Sequence, residues 1–185
     1  MERAAQVRFH RNSSAPVNWN PVTGGKRSRV CFDDSLTEDL GSDPTGSRFD
    51  SISERMMKGY FYPQDAVQYF CEAHDTGRDL KVHDRVLQRA PLFPFLPSFG
   101  MWSMVEIFVA SRSESECTLG YVTTTRHQGR GIWQAKLMRV GDRLSMTITS
   151  TTSPQSWLFW MGLPLARFLQ LRARRRALEE FKKVK

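Results

Sequence analysis

The chain has 185 residues and a formal net charge of +8, with 40% hydrophobic and 25% charged residues. That balance belongs to a folded domain with a tail and excludes a wholly disordered polymer. The longest apolar block, Trp157–Ala166, is only about half a bilayer span and contains Pro164, so no transmembrane helix is expected.

The charge is uneven. Residues 1–55 carry eight basic and eight acidic side chains, whereas Ala166–Lys185 carry eight basic and two acidic ones. Six of the eight net positive charges therefore sit in the last twenty residues. Cys31, Cys71 and Cys117 are odd in number and match no metal-ligand spacing, which predicts free thiols in a reducing compartment. A cytoplasmic location is expected. Arg3, Arg8 and Arg11 with Ser13 and Ser14 are only a faint echo of an organelle-targeting peptide.

Residues 1–55 are rich in Ser, Asp, Arg, Gly and Pro without sustained periodicity, and read as a disordered or loosely packed N-terminal arm. Phe9, Trp19 and Phe32 are its candidate docking points. Order is expected from Met56, so that 56–185 form one α+β domain with a basic C-terminal helix. Tyr60–Tyr62 suit a short strand. Pro63 then suits the first turn of a helix reaching about His74, with Ala66, Val67, Phe70 and Cys71 on one face.

Val82–Arg89 reads as a strand. Pro91, Pro94 and Pro97 enclose an apolar stretch that must be a loop, covering a core or closing a cavity. Four β-like segments follow: Met101–Ala110, Thr118–Thr125, Ile132–Val140 and Arg143–Thr151. Gly141-Asp142 makes a two-residue hairpin turn, and short connections throughout predict an antiparallel meander. Beyond Ser153-Pro154 a last helix should bury a stripe of Phe168, Leu171, Leu178 and Phe181. Arg172, Arg174, Arg175 and Arg176 would then face an acidic partner, either an anionic membrane surface or a nucleic acid. On that reading, truncation after Ala177 changes surface binding more than it changes ligand binding.

Several elements in fixed order carry a resemblance. They are Lys58–Pro63, the run Gly120-Tyr121-Val122-Thr123-Thr124-Thr125-Arg126-His127, then Gly131 and Trp133, Gly141-Asp142, Ser153-Pro154, and Pro164 with Arg167 and Gln170. Over Met56–Ala177 the chain resembles the uncharacterised protein family 0548. Ile132 stands where that family commonly has Glu, so an acid–base role for that position is absent. The resemblance implies a helix-grip fold like START and Bet v 1-like proteins: a curved antiparallel sheet wrapped around a long C-terminal helix, often enclosing an apolar cavity.

A small hydrophobic or amphipathic ligand is the expected partner, with Tyr121, Thr123, Thr125, His127, Arg167 and Gln170 as candidate contacts. Arg167 could instead bridge internally to Asp84 or Glu106. His127 invites a hydrolase or cyclase reading, yet no nucleophile or partner carboxylate is assignable by spacing, so no catalytic residue is assigned. No metal site and no cofactor are expected. Gly24-Gly25-Lys26 and Gly129-Arg130-Gly131 lack the context of phosphate loops. Trp102, Trp133 and Trp157 read as core.

Overall fold

The computed structural model describes residues 3–25, 31–91, 100–155 and 163–184. The apolar proline stretch beyond Pro91 and Trp157 lie outside them. Four helices are described, α1 (Arg3–Asn12), α2 (Ser47–Met57), α3 (Glu72–Thr76) and α4 (Leu163–Lys183). The seven strands are β1 (Phe32–Ser42), β2 (Gln68–Phe70), β3 (Arg85–Pro91), β4 (Gly100–Arg112), β5 (Glu116–Thr123), β6 (Gly129–Val140) and β7 (Arg143–Pro154).

These strands form one antiparallel sheet in the order β1-β7-β6-β5-β4-β3-β2. The expected meander is β4 to β7, with Gly141 at φ +62° in the turn joining β6 and β7. Register shifts at Ile107/Val109 and Asp39/Gly41 mark bulges, which bend and twist strands.

Strand alternation then sorts the side chains. Val86, Val105, Leu119, Trp133, Ala135, Leu137, Met146 and Ile148 share one core with Phe49, Ile52 and Met56 of α2 and Ala177, Leu178 and Phe181 of α4. Leu87 and Met104, one position out of phase, join Phe9 of α1 in a second cluster on the opposite face. The architecture is α+β, an antiparallel sheet gripping a C-terminal helix, as the sequence led us to expect.

The first 55 residues are a correction. Far from forming a loose arm, the described residues among them supply α1, the edge strand β1 and most of α2. The α2 signal was present, since Phe49, Ile52, Ser53 and Met56 follow i, i+3, i+4, i+7 spacing and are all buried. Asp43 also caps that region, its carboxylate accepting from the Arg48 and Phe49 backbone N–H groups. Strand β1 was hidden by its polarity. Asp34, Leu36, Glu38 and Leu40 alternate inward, and the two acids are answered by Arg167 and Lys182 of α4. Phe9 and Trp19 are buried, and the stretch between them adds to the sheet: Val17 bridges Thr124, and Asn18 donates to the Thr124 carbonyl at 2.8 Å.

Two further expectations fail locally. Tyr60–Tyr62 form no strand, and the helix expected from Pro63 to His74 is a turn, then β2, then the short α3. Tertiary pairing of Gln68–Phe70 with Leu87–Arg89 overrides the local helical spacing.

Candidate functional site

A cavity of about 300 Å³ lies between the inner face of the sheet and α4. It is at the small end of the range for ligand pockets, roughly 300–1,000 Å³. Its inner end is aromatic. Trp133 of β6 is buried, with its ring 5.1 Å from the Tyr121 ring and nearly parallel to it. Phe61 abuts Trp133 edge-on at 4.8 Å, and Tyr62 lies 5.9 Å away. Val67, Ile132 and Ala173 complete the apolar wall. Burial pushes the Tyr121 hydroxyl up to about 12, with Gln88 as its hydrogen-bond neighbour, and raises Tyr62 as well. Both phenols are therefore neutral hydrogen-bonding groups.

Of the six expected ligand contacts, Tyr121, Thr123, His127, Arg167 and Gln170 all line this cavity. Thr125 does not. Strand β5 ends at Thr123, so the alternation that would have placed Thr125 beside Tyr121 stops two residues too soon. Thr125 is exposed and faces a separate polar cleft of about 350 Å³ under α1, with Arg8, Asn12 and Arg126.

The signature segment owes much of its pattern to the fold. The Thr123 hydroxyl accepts the Gly131 N–H at 2.7 Å and lies 2.6 Å from Asn18 Oδ1, to which it donates. Thr124 gives its hydroxyl proton to the Met104 carbonyl at 2.8 Å. Gly131 leaves no room for a side chain, since a Cβ there would sit 1.8 Å from the Thr151 carbonyl oxygen. These residues tie the β5–β6 hairpin to β4, β7 and the N-terminal segment, and present little free polarity to a ligand.

His127 lies between the two cavities. Its Nδ1 takes the Gly129 N–H at 2.9 Å. The surface it keeps faces cavities rather than bulk water, so burial lowers its pKa to about 4 despite a hydrogen bond with Gly129. It is uncharged near neutral pH. No carboxylate or nucleophile is among its hydrogen-bond partners in the described residues. The two buried thiols, Cys71 and Cys117, are pushed up by burial and are poor nucleophiles. Among the described residues no group of three or more His, Cys, Asp or Glu side chains could hold a metal ion.

Arg167 is already engaged. It grips both carboxylate oxygens of Asp34, stacks over the Phe32 ring at 5.4 Å and reaches Gln170 Oε1 at 3.1 Å. The pairing holds the Asp34 carboxyl below its ordinary range. Asp84 and Glu106, the partners considered from sequence, are held by Arg78 and Arg85 instead.

The cationic face expected of α4 is not one face. Arg174 is 3% exposed and donates to Ser150 Oγ at 2.9 Å. It lies on the buried stripe with Ala177, Leu178 and Phe181, so an outward partner contact through it is ruled out. Arg175 pairs with Glu179 on the helix surface. Arg172 and Arg176 line the cavity, Arg176 being paired with Asp65 at 2.8 Å. Phe168 and Leu171 move the other way. Expected on the buried stripe, they are 59% and 44% exposed.

Sequence comparison matches residues 23–180 to a family described as Domain of unknown function (DUF1990). No curated protein shows significant sequence similarity to the chain. Among solved structures, a hypothetical protein of Helicobacter pylori has a TM-score of 0.54 at 11% identity, over 90% of this chain and 93% of that one. A protein of Thermus thermophilus has a TM-score of 0.52 at 10% identity, over 82% of this chain and 94% of its own. Major latex-like protein 151 of Panax ginseng has a TM-score of 0.46 at 12% identity, over 78% and 98%. Such identities speak to the fold alone. No helix among the described residues is long and apolar enough to cross a membrane.

Proposed function

The chain belongs to the DUF1990 family of unknown function, and from that premise we propose that it binds a small hydrophobic or amphipathic molecule between sheet and α4. The observation that carries this reading is the aromatic-floored cavity itself. Its deep walls are Tyr62, Tyr121 and Trp133, its charged groups are concentrated toward α4, and neutral polar side chains such as Gln88, Thr123 and His127 lie along the sheet. Binding would be driven by burial of apolar ligand surface, at roughly 25 cal/mol per Å² removed from water. The neutral His127 and the Tyr121 hydroxyl would orient the ligand without charging it. Arg167 supports the wall through Asp34. We assign no reaction to the site.

The test is direct. Native mass spectrometry and solvent extraction of the purified chain should reveal a co-purifying small molecule, and a neutral environment-sensitive dye should bind. Ala166→Trp, on the cavity wall of α4, should reduce dye affinity by about tenfold or more while leaving the circular dichroism spectrum unchanged. A crystal structure with the cavity filled by the protein's own side chains would overturn the reading.

A second reading, contact with an anionic membrane surface, is supported by a different feature. Leu165, Phe168 and Leu171 are 43%, 59% and 44% exposed on the outer side of α4, with Arg175 and Lys183 also exposed. Exposed aliphatic and aromatic side chains beside cations suit a lipid interface better than a nucleic acid phosphate track. On this reading the chain floats with phosphatidylserine vesicles at low salt, and Phe168→Glu abolishes flotation. Equal flotation of wild type and variant would remove it.

A further inference from the structure

The charges around the cavity do not cancel, and the residue left over points to a ligand class. On α4, Arg167 is held by Asp34, Arg175 by Glu179, Arg176 by Asp65 and Lys182 by Glu38, while Arg174 is buried against Ser150. Arg172 has no hydrogen-bond or ion-pair partner among the described residues, and it lines the cavity. Lys183, also without a partner among them, sits three turns further along and does not line the cavity.

Arg172 and Arg176 are four residues apart, one turn of helix, so their side chains stand side by side on the cavity face. Both lie at its mouth. Arg172 is exposed, and the carboxylate that Arg176 holds belongs to Asp65, whose side chain is 67% exposed. An ion pair as open to water as that contributes little and is readily exchanged for a better acceptor. The inner end, at Tyr62, Tyr121 and Trp133, is aromatic and presents only neutral side chains to the cavity; the buried Arg174, which acts on both tyrosines, does not itself line it. Among the described residues, the charged side chains lining the cavity are Asp65, Arg167, Arg172 and Arg176. With Asp34 neutralising Arg167 and Asp65 neutralising Arg176, Arg172 is the one lining charge left unpaired among the described residues, and the buried Arg174, hydrogen-bonded to Ser150, adds to the positive potential.

Granting that the cavity is a ligand site, we infer that it takes a singly charged amphiphilic acid, its carboxylate at Arg172 and Arg176 and its apolar body against Tyr121 and Trp133. A guanidinium pair at the mouth matches a planar carboxylate in geometry as well as charge, and charge-assisted hydrogen bonds of this kind are the strong ones. Arg167, the arginine the sequence pointed to, is the poorer anchor because Asp34 and Gln170 take three of its five N–H donors and its Asp34 pair, 23% and 18% exposed, is far more enclosed than that of Arg176. Asp65 acts as a placeholder that the ligand displaces from Arg176.

The experiment uses the full chain with laurate and dodecanol, which share chain length and differ in the head. Displacement of a neutral dye reports both. Wild type should bind laurate about tenfold more tightly than dodecanol. Arg172→Gln should lose most of that preference while dodecanol affinity and melting temperature stay unchanged, since the side chain is exposed and has no hydrogen-bond or ion-pair partner among the described residues. Asp65→Asn should tighten laurate several-fold by freeing Arg176, again without effect on dodecanol. Equal affinity for the two ligands in wild type, or an Arg172→Gln effect of the same size on both, overturns the acid assignment and leaves the cavity reading standing. Failure of dye, laurate and dodecanol alike to bind overturns both.

Discussion

Gly131→Ala should destabilise the domain by about 3 kcal/mol or more, a size reached only when a substitution breaks packing or backbone pairing outright. The added Cβ would lie 1.8 Å from the Thr151 carbonyl oxygen and 2.8 Å from its carbon. Those are backbone atoms of the neighbouring strand, so no rotamer change relieves the clash, and β6 must part from β7 where Gly131 faces Thr152. The damage extends further. The Gly131 N–H is the donor to the Thr123 hydroxyl, and that hydroxyl holds Asn18. One methyl group thereby loosens the β5–β6 hairpin and the N-terminal segment together. Gly129→Ala is the internal control: its Cβ would meet the Thr152 methyl at 3.2 Å, a side-chain contact that can shift. Thermal melts should show a fall of about 10 °C for Gly131→Ala and a much smaller one for Gly129→Ala. Equal melting temperatures would mean that the glycine of this signature answers to something other than strand spacing.

Removal of residues 178–185 should unfold the chain. Leu178 and Phe181 are buried in the main core, Phe181 with its ring 5.2 Å from Phe61. Losses of about 2–5 kcal/mol for a buried Leu and about 3–5 for a buried Phe together rival the whole stability of a typical domain. The same segment also ties the helix to the rest of the chain. Glu180 pairs with Arg55 of α2, Lys182 with Glu38 of β1, and the Val184 carbonyl accepts from Arg48 at 2.6 Å. Reading α4 as a packed start and a free basic end, as the sequence suggests, predicts instead that truncation spares the fold. Circular dichroism of the truncated chain, beside Phe181→Ala as a milder variant, decides between the two. A cooperative melt near the wild-type temperature would return the end of α4 to the surface.

The contrast between these two segments shows what was legible. The meander could be read because alternation, the Gly141-Asp142 turn and short connections are local signals, and the structure keeps all three. The wall of the cavity could be read because Tyr121, Thr123, His127, Arg167 and Gln170 stand in an ordered family pattern. The state of those residues was not legible. Thr123 spends its hydroxyl on Asn18 and Gly131, Arg167 spends three donors on Asp34 and Gln170, and the Asp34–Arg167 partners are separated by 133 residues. No window along the chain joins them.

By itself, then, the sequence determined the class of fold, the position of the helix that the sheet grips, and which short segments meet at the cavity. Only the tertiary structure decided which charges are spent and which are free. Strand β1 looks too polar to be ordered until its inward acids meet α4, and α4 looks like one cationic face until Arg174 turns inward and Phe168 and Leu171 turn out. The physical reason is the same in both cases. Periodicity and composition describe a segment against water, whereas a charged side chain takes its role from whichever opposite charge the fold brings within reach. Arg172, which the fold brings to a cavity mouth and to no carboxylate among the described residues, is where that difference gives rise to the ligand preference we propose.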